Sequence, residues 1–199
     1  MNDYKPIETI YNGYRFRSRL EARWAVFFDV LGIEYEYEPE GINEDGINYL
    51  PDFYLPEFFS YFEVKRKGLP ENARDIAIDK IQYGAYTDTF SGIIAFGDPM
   101  DDELFIFCQE TDDDGGGSYN GSITIGLHPE RKKPYLFAYD DRRKRQFFST
   151  WESNEGFIPM VTNEYDTYEY EDFVDRIVMN ARLCSRQARF EHGETPKIK

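Results

Sequence analysis

Glu63 and Lys65 stand two apart in the segment YFEVKRK, which reads as a strand. Residues two apart in a strand share a face, so these two side chains would project together while Phe62 and Val64 turn the other way into packing. A carboxylate beside an ammonium on a strand that also buries apolar residues is costly to place near a core. It is either a solvent-facing ion pair on an edge strand or part of a site. Asp52 follows Pro51 at the head of the preceding strand. If the two strands pair as a hairpin through Pro56, Asp52 comes near Glu63. Two carboxylates at close range repel unless a cation sits between them, and hard oxygen ligands of this kind suit Mg²⁺. The plainer alternative for Asp52 is a turn-forming Asp after Pro. Glu21 is a third acid, at the edge of an apolar helical stripe; Ser18-x-x-Glu21 also fits a capping box, in which Glu21 would serve the helix start instead.

These residues need elements to hold them. Ser18 predicts a helix N-cap and Gly32 its stop, with Leu20, Trp24, Phe27, Phe28 and Leu31 forming the buried stripe between. IEYEYE alternates Ile33, Tyr35 and Tyr37 with three glutamates, which predicts a half-buried strand. YLPDFYL and YFEVKRK predict two more strands, and a helix follows from about Asn72 to Tyr86. SGIIAFG, ELFIFCQ, SITIGL and PYLFAY predict further strands, and DDDGGGS a flexible loop. A last helix is expected with Phe173, Ile177, Ala181 and Cys184 on its apolar face. The one candidate domain boundary lies near Gly115–Gly117. The order of helices and strands suits an α/β core with a mixed sheet.

SRLEARWAVFFDVLGIEYEYEP, YLPDFYLP and FEVK, in that order, resemble the PD-(D/E)xK nuclease superfamily in its stand-alone phage and bacterial form. The resemblance covers about Tyr14 to Tyr86. It implies a restriction-endonuclease-like α/β fold: a mixed central sheet flanked by helices, with extra C-terminal strands and a late helix. The whole chain, 1–199, would be one nuclease-like domain, with a core of about 14–110 and a C-terminal elaboration of about 118–191. It also implies metal-assisted phosphodiester hydrolysis. Glu21, Asp52 and Glu63, with the Val64 carbonyl, would hold Mg²⁺ (Mn²⁺ substituting), and Lys65 would orient the attacking water or stabilise developing charge. Gln82 and Tyr86, four apart on the second helix, resemble the QxxxY element of the RecB-like and Cas4-like branch; the alternative is a core tyrosine beside a surface glutamine.

Arg17, Arg19 and Arg23 could line the site and hold phosphates, and Arg66, Lys67 and Lys80 extend this basic character; a solvated face is the alternative. Arg142-Arg143-Lys144-Arg145 is a further basic run. The chain as a whole carries a formal net charge of -15. That argues against a broad basic surface wrapping duplex DNA. It suits an enzyme that bridges phosphate through metal over a short stretch, with DNA as the expected nucleic acid. It also leaves room for a different class, a non-catalytic factor presenting an acidic surface to a protein partner. RNA or a cyclic nucleotide would suit the same motifs as substrate, and a homodimer is compatible with them.

Two cysteines without CxxC spacing and two isolated histidines argue against a zinc site and a disulfide framework. The polar N-terminus and the absence of a long apolar stretch predict a cytoplasmic protein without a membrane segment. The 17 Phe and 16 Tyr could stack on bases, but most are expected in the core.

Overall fold

Pro51 splits what the sequence reads as one strand, and the split shapes the site. In the computed structural model, which describes residues 6–44, 47–87, 91–110, 117–128, 132–140, 145–149 and 174–190, YLPDFYL becomes two strands in different sheets. β1 (Thr9–Tyr11) and β2 (Tyr14–Phe16) form a hairpin that leads into α1 (Arg19–Leu31). β3 (Glu36–Tyr37) follows, then β4 (Ile42–Glu44) and β5 (Ile47–Tyr49), which pair as a separate ribbon. β6 (Phe53–Leu55) resumes after Pro51, which has no N–H to give to a ladder. A 3₁₀ turn, Pro56–Phe58, connects β6 to β7 (Ser60–Lys65), and α2 (Glu71–Thr87) comes next. The chain continues through β8 (Ser91–Phe96), β9 (Leu104–Glu110), β10 (Gly117–Leu127), β11 (Pro134–Asp140), β12 (Arg145–Ser149) and α3 (Arg176–Gln187).

Eight strands form the main sheet in the order β12-β11-β10-β9-β8-β7-β6-β3. Its pairs are antiparallel except β7 with β8, which are parallel and joined through α2, as parallel neighbours require a crossover. With three helices among the described residues, this is a mixed α/β fold with a mostly antiparallel sheet. β10 pairs with β9, so one sheet runs on past the candidate boundary near Gly115–Gly117; residues 111–116 themselves lie outside the described ones.

Period-2 alternation assigns the two faces. Phe62 and Val64 of β7 pack with Ile93 and Ala95 of β8 and with Trp24, Phe27 and Phe28 of α1, a layer that α3 joins through Val178 and Ala181. Tyr61, Ile94 and Phe96 face the other layer, against Ala77 and Ile81 of α2. All six residues of β8 are buried, as suits a strand covered on both faces. Phe16, Phe27, Phe28, Phe53, Phe58, Phe62 and Phe96 are fully buried, so much of the aromatic content serves packing. At about 1.5–3 kcal/mol for each fully buried large side chain, this cluster is a dominant stabilising term.

The first helix starts and ends where the sequence predicts. The Ser18 hydroxyl accepts from the Glu21 N–H, and Gly32 closes the helix with φ 73°, a left-handed conformation that favours glycine. IEYEYE keeps its alternation of exposed glutamates, yet only Glu36–Tyr37 pairs, with Tyr54 and Phe53. Its partner β6 is three residues long before Pro56 turns the chain away.

The last helix differs from expectation. α3 buries Val178, Ala181, Arg182 and Ser185, while Ile177 is 51% exposed. Arg182 Nη2 lies 2.7 Å from Asp102 Oδ1 and donates to Thr124 Oγ1 at 2.9 Å. A paired guanidinium turns towards the sheet, and an apolar count along the sequence misses a face that contains a charge. Phe173, the side chain of Tyr86, the DDDGGGS segment before Gly117, residues 142–144 of the basic run, and the tail from His192 lie outside the described residues. Among the described residues no helix is long and apolar enough to cross a membrane.

Candidate functional site

β6 and β7 form the hairpin through Pro56, with Phe53 opposite Phe62. One step further along that register, Asp52 faces Glu63. Asp52 lies just before β6, where Pro51 has interrupted the ladder, so its side chain can substitute for a missing strand partner. Its Oδ2 accepts from the Val64 N–H at 2.7 Å, while its backbone carbonyl accepts from the Glu38 N–H at 2.9 Å. Asp52 is 4% exposed and Glu63 7%. Lys65 Nζ donates to Glu63 Oε1 and lies 3.4 Å from the Val64 carbonyl oxygen, so the two strand residues do share a face.

Tyr49, at the end of β5, donates its hydroxyl to Glu63 Oε2 at 3.0 Å. The two oxygens of Glu63 therefore have separate duties: one is held by a buried phenol, the other faces the lysine. Burial, with the Glu63 carboxylate beside it, raises the Tyr49 phenol well above its ordinary value, so it remains a donor. Gly84 of α2 makes room for this ring, because a Cβ there would come within 2.8 Å of Tyr49 Cε1.

Glu21 lies at the N-terminus of α1 and is drawn into that helix start. Its Oε1 accepts from the Ser18 hydroxyl at 2.7 Å. Its Oε2 accepts from the Arg17 N–H at 3.1 Å and from the Tyr37 hydroxyl at 2.8 Å. This is a capping arrangement with one change: the carboxylate reaches the amide of Arg17 rather than that of Ser18. The consequence is a fixed backbone at Arg17. From there the Arg17 side chain passes over the site, with Nη2 2.5 Å from Asp52 Oδ1 and Nε 2.7 Å from Glu38 Oε1. Glu21, Arg17, Asp52, Val64, Glu63 and Lys65 thus form one connected polar network.

The other candidates distribute differently. Arg23 Nη1 is 3.5 Å from Asp98, and Lys67 Nζ donates to Asp101 at 2.9 Å, which places both in a second charged cluster. Arg19 is half-buried at the first turn of α1, and Arg66 and Lys80 are exposed. Gln82 is half-buried on α2, and Tyr86 follows it by one turn on the same helix. Tyr37, Tyr49, Glu38 and Gly84 were not among the sequence candidates. The tyrosines read as strand packing residues; the one available signal was that a buried phenol needs a partner.

Burial, then the nearby Glu63 carboxylate, push the Asp52 carboxyl up to about 8; Glu21 acts in the same direction, while Lys65 and the Val64 N–H oppose it. A buried acid facing a second acid favours an added cation. Asp52 Oδ1, Glu63 Oε1 and the Val64 carbonyl are hard oxygen donors of the kind that could hold a divalent ion, and the Lys65 ammonium already lies on the last two. In this arrangement Glu21 is occupied elsewhere, and among the described residues no three His, Cys, Asp or Glu side chains are grouped as a ready-made metal cage. No family model, curated protein or solved structure matches the chain.

Proposed function

We propose that the protein is a divalent-metal-dependent nuclease hydrolysing phosphodiester bonds of DNA, on a restriction-endonuclease-like core. One observation carries this most directly: the Val64 N–H fixes Asp52 opposite Glu63, with Lys65 on the same face. A buried pair of acids plus a lysine has little value as a fold stabiliser, because burying charge costs more than its pairing returns unless geometry is very good. A buried acid raised by a second carboxylate beside it, as Asp52 is, is characteristic of functional sites. Asp52 and Glu63 would hold Mg²⁺ or Mn²⁺, with Val64 supplying a carbonyl. The cation, when bound, supplies a polarised water and positive charge beside the scissile phosphate. Tyr49 keeps Glu63 oriented. Lys65 would turn from Glu63 towards the attacking water or the developing negative charge. Glu21 contributes by anchoring the Arg17 backbone.

The test is cleavage of single- and double-stranded DNA with Mg²⁺ or Mn²⁺ by the wild type, Asp52→Ala and Lys65→Ala. The expected result is metal-dependent cleavage that falls by about a hundredfold or more in each variant. Cleavage that survives both substitutions rules out this site. RNA and a cyclic dinucleotide belong in the same assay, and metal-dependent cleavage of either without DNA cleavage would keep the site and change the substrate.

A further inference from the structure

Arg17 occupies a position that neither a simple phosphate-binding arginine nor a simple structural ion pair would need. Its side chain is 51% exposed, yet its Nη2 lies on Oδ1 of Asp52, whose side chain is 5% exposed. That oxygen is the one Val64 leaves open, and so the one a metal would take. Its Nε rests on Glu38, a residue held in the left-handed region with φ 47° while its N–H donates to the Asp52 carbonyl. Backbone strain of this kind persists where surrounding structure enforces it, and clusters at functional sites. The Arg17 amide is pinned by Glu21 and Tyr37, so the base of the side chain is fixed while its end is half in water.

We propose, on the basis of the metal-site reading above, that Arg17 is a displaceable occupant of the metal position: it holds Asp52 Oδ1 in the metal-free protein, a divalent ion displaces it, and the released guanidinium then binds substrate phosphate. A guanidinium resting on Asp52 Oδ1 competes with a metal for that oxygen, since two cations there repel each other. A ligand whose competent state is fractionally populated binds more weakly by that fraction, so closure by Arg17 lowers metal affinity. Once displaced, Arg17 keeps its tether to Glu38 beside the site. Its planar fork of donors suits a phosphate oxygen pair. Metal and nucleic acid then favour each other's binding through one side chain, and such coupling is reciprocal.

The experiment measures Mn²⁺ affinity by calorimetry in the wild type, Arg17→Gln and Arg15→Gln. Arg15 is the control for net charge; its partner is Glu8 at 2.9 Å, on the exposed β1–β2 hairpin. The expected result is about a tenfold gain in affinity in Arg17→Gln and a clearly smaller change in Arg15→Gln, on the scale of outer-shell effects on metal sites. Equal or weaker binding by Arg17→Gln, or an equal gain in both variants, overturns the role of Arg17 while leaving the metal site standing. Absence of Mn²⁺ binding in all three removes the metal site and the proposal together. On the wild type alone, the Arg17 Nη–H resonances should shift when Mg²⁺ binds, because Nη2 is the group that leaves Asp52; saturation by Mg²⁺ without such a shift also overturns displacement. For the phosphate step, binding of a DNA oligonucleotide with Ca²⁺ is followed against salt. Arg17→Gln should lower the slope by about one phosphate contact, and an unchanged slope or no DNA binding by the wild type removes that step.

Discussion

Asp52 and Asp98 are both buried, both paired with an arginine, and both stand where a strand has just been interrupted. Their surroundings differ in how well the charge is met. Asp98 receives Arg186 in a two-pronged contact, Nε at 3.0 Å and Nη2 at 2.7 Å, and its Oδ1 also accepts from the Met100 N–H at 2.9 Å. Arg23 approaches the same carboxylate, and the neighbouring acid, Asp101, has Lys67. Despite partial burial, Asp101 is held below its ordinary value, chiefly by the Lys67 hydrogen bond. At Asp52 the arginine supplies one N–H, and Glu63 and Glu21 add negative charge from nearby. The first cluster ties α3 to the β8–β9 turn and leaves no unmet demand for a cation. The second, on the function proposed above, retains a demand that an added cation would meet. A paired acid of the first kind contributes stability; one of the second kind withholds it in favour of a site.

The largest expected effect follows from that contrast. Asp98→Ala should lower stability by about 2 kcal/mol in urea unfolding at pH 8, less than the ~3–5 kcal/mol of a fully buried pair because the Arg186 side chain is 45% exposed. Asp52→Asn at the same pH should leave stability equal or raise it, since it removes a charge that burial and Glu63 oppose. Similar losses in the two variants would dissolve the distinction. Mn²⁺ binding should show the reverse pattern, lost in Asp52→Asn and retained in Asp98→Ala.

The pH dependence sharpens the same comparison. The folded protein holds the Asp52 carboxyl at about 8, against an ordinary value of 3.8. Between those values the folded state binds more protons at this group than the unfolded state does. Stability from Asp52 therefore falls as pH rises across that window, and is constant below and above it. The slope is at most about 1.4 kcal/mol per pH unit. It is read as the wild type minus Asp52→Asn, which cancels the rest of the acidic chain. Mg²⁺ should flatten the difference by stabilising the ionised form. A difference that grows with pH in the wild type's favour would reverse the assignment.

Much of this arrangement is legible in sequence, and what is not has a physical reason. Local signals act over a few residues: Ser18 and Gly32 bound α1, and Phe62/Val64 against Glu63/Lys65 set the two faces of β7. The hairpin through Pro56 brings Asp52 to Glu63 because strand register is fixed once the turn is known. Partners far apart in sequence leave no such trace. Nothing local says that Tyr49 reaches Glu63, that Arg186 crosses to Asp98, or that Arg17 lies on Asp52 and Glu38. Glu21 illustrates the difficulty: one pattern of residue types serves both a capping box and a metal ligand, and only the directions of its two oxygens separate them. At Arg182, an apolar count fails because the buried face includes a charge.

The smallest effect tests whether packing on α2 reaches the acids at all. Glycine within a helix is ordinarily about 1 kcal/mol worse than alanine, so Gly84→Ala would stabilise an unconstrained helix. Here the added Cβ would lie 2.8 Å from Cε1 and 2.9 Å from Cδ1 of Tyr49, a ring that is 4% exposed and has little room to retreat. Overpacking of this kind costs about 1–3 kcal/mol, enough to offset the helix gain and leave a net loss of about 1 kcal/mol. The ring that must shift is the one donating to Glu63 Oε2, so Mn²⁺ affinity should fall as well, though less than in Asp52→Asn. A Tyr49→Leu background separates the two contributions. Without the ring, Gly84→Ala should recover its helix advantage and change sign in urea unfolding, giving a coupling of about 1 kcal/mol or more between the positions. An equal change in both backgrounds would show that Gly84 and Tyr49 are independent, and that the orientation of Glu63 depends on β5 and β7 without help from α2.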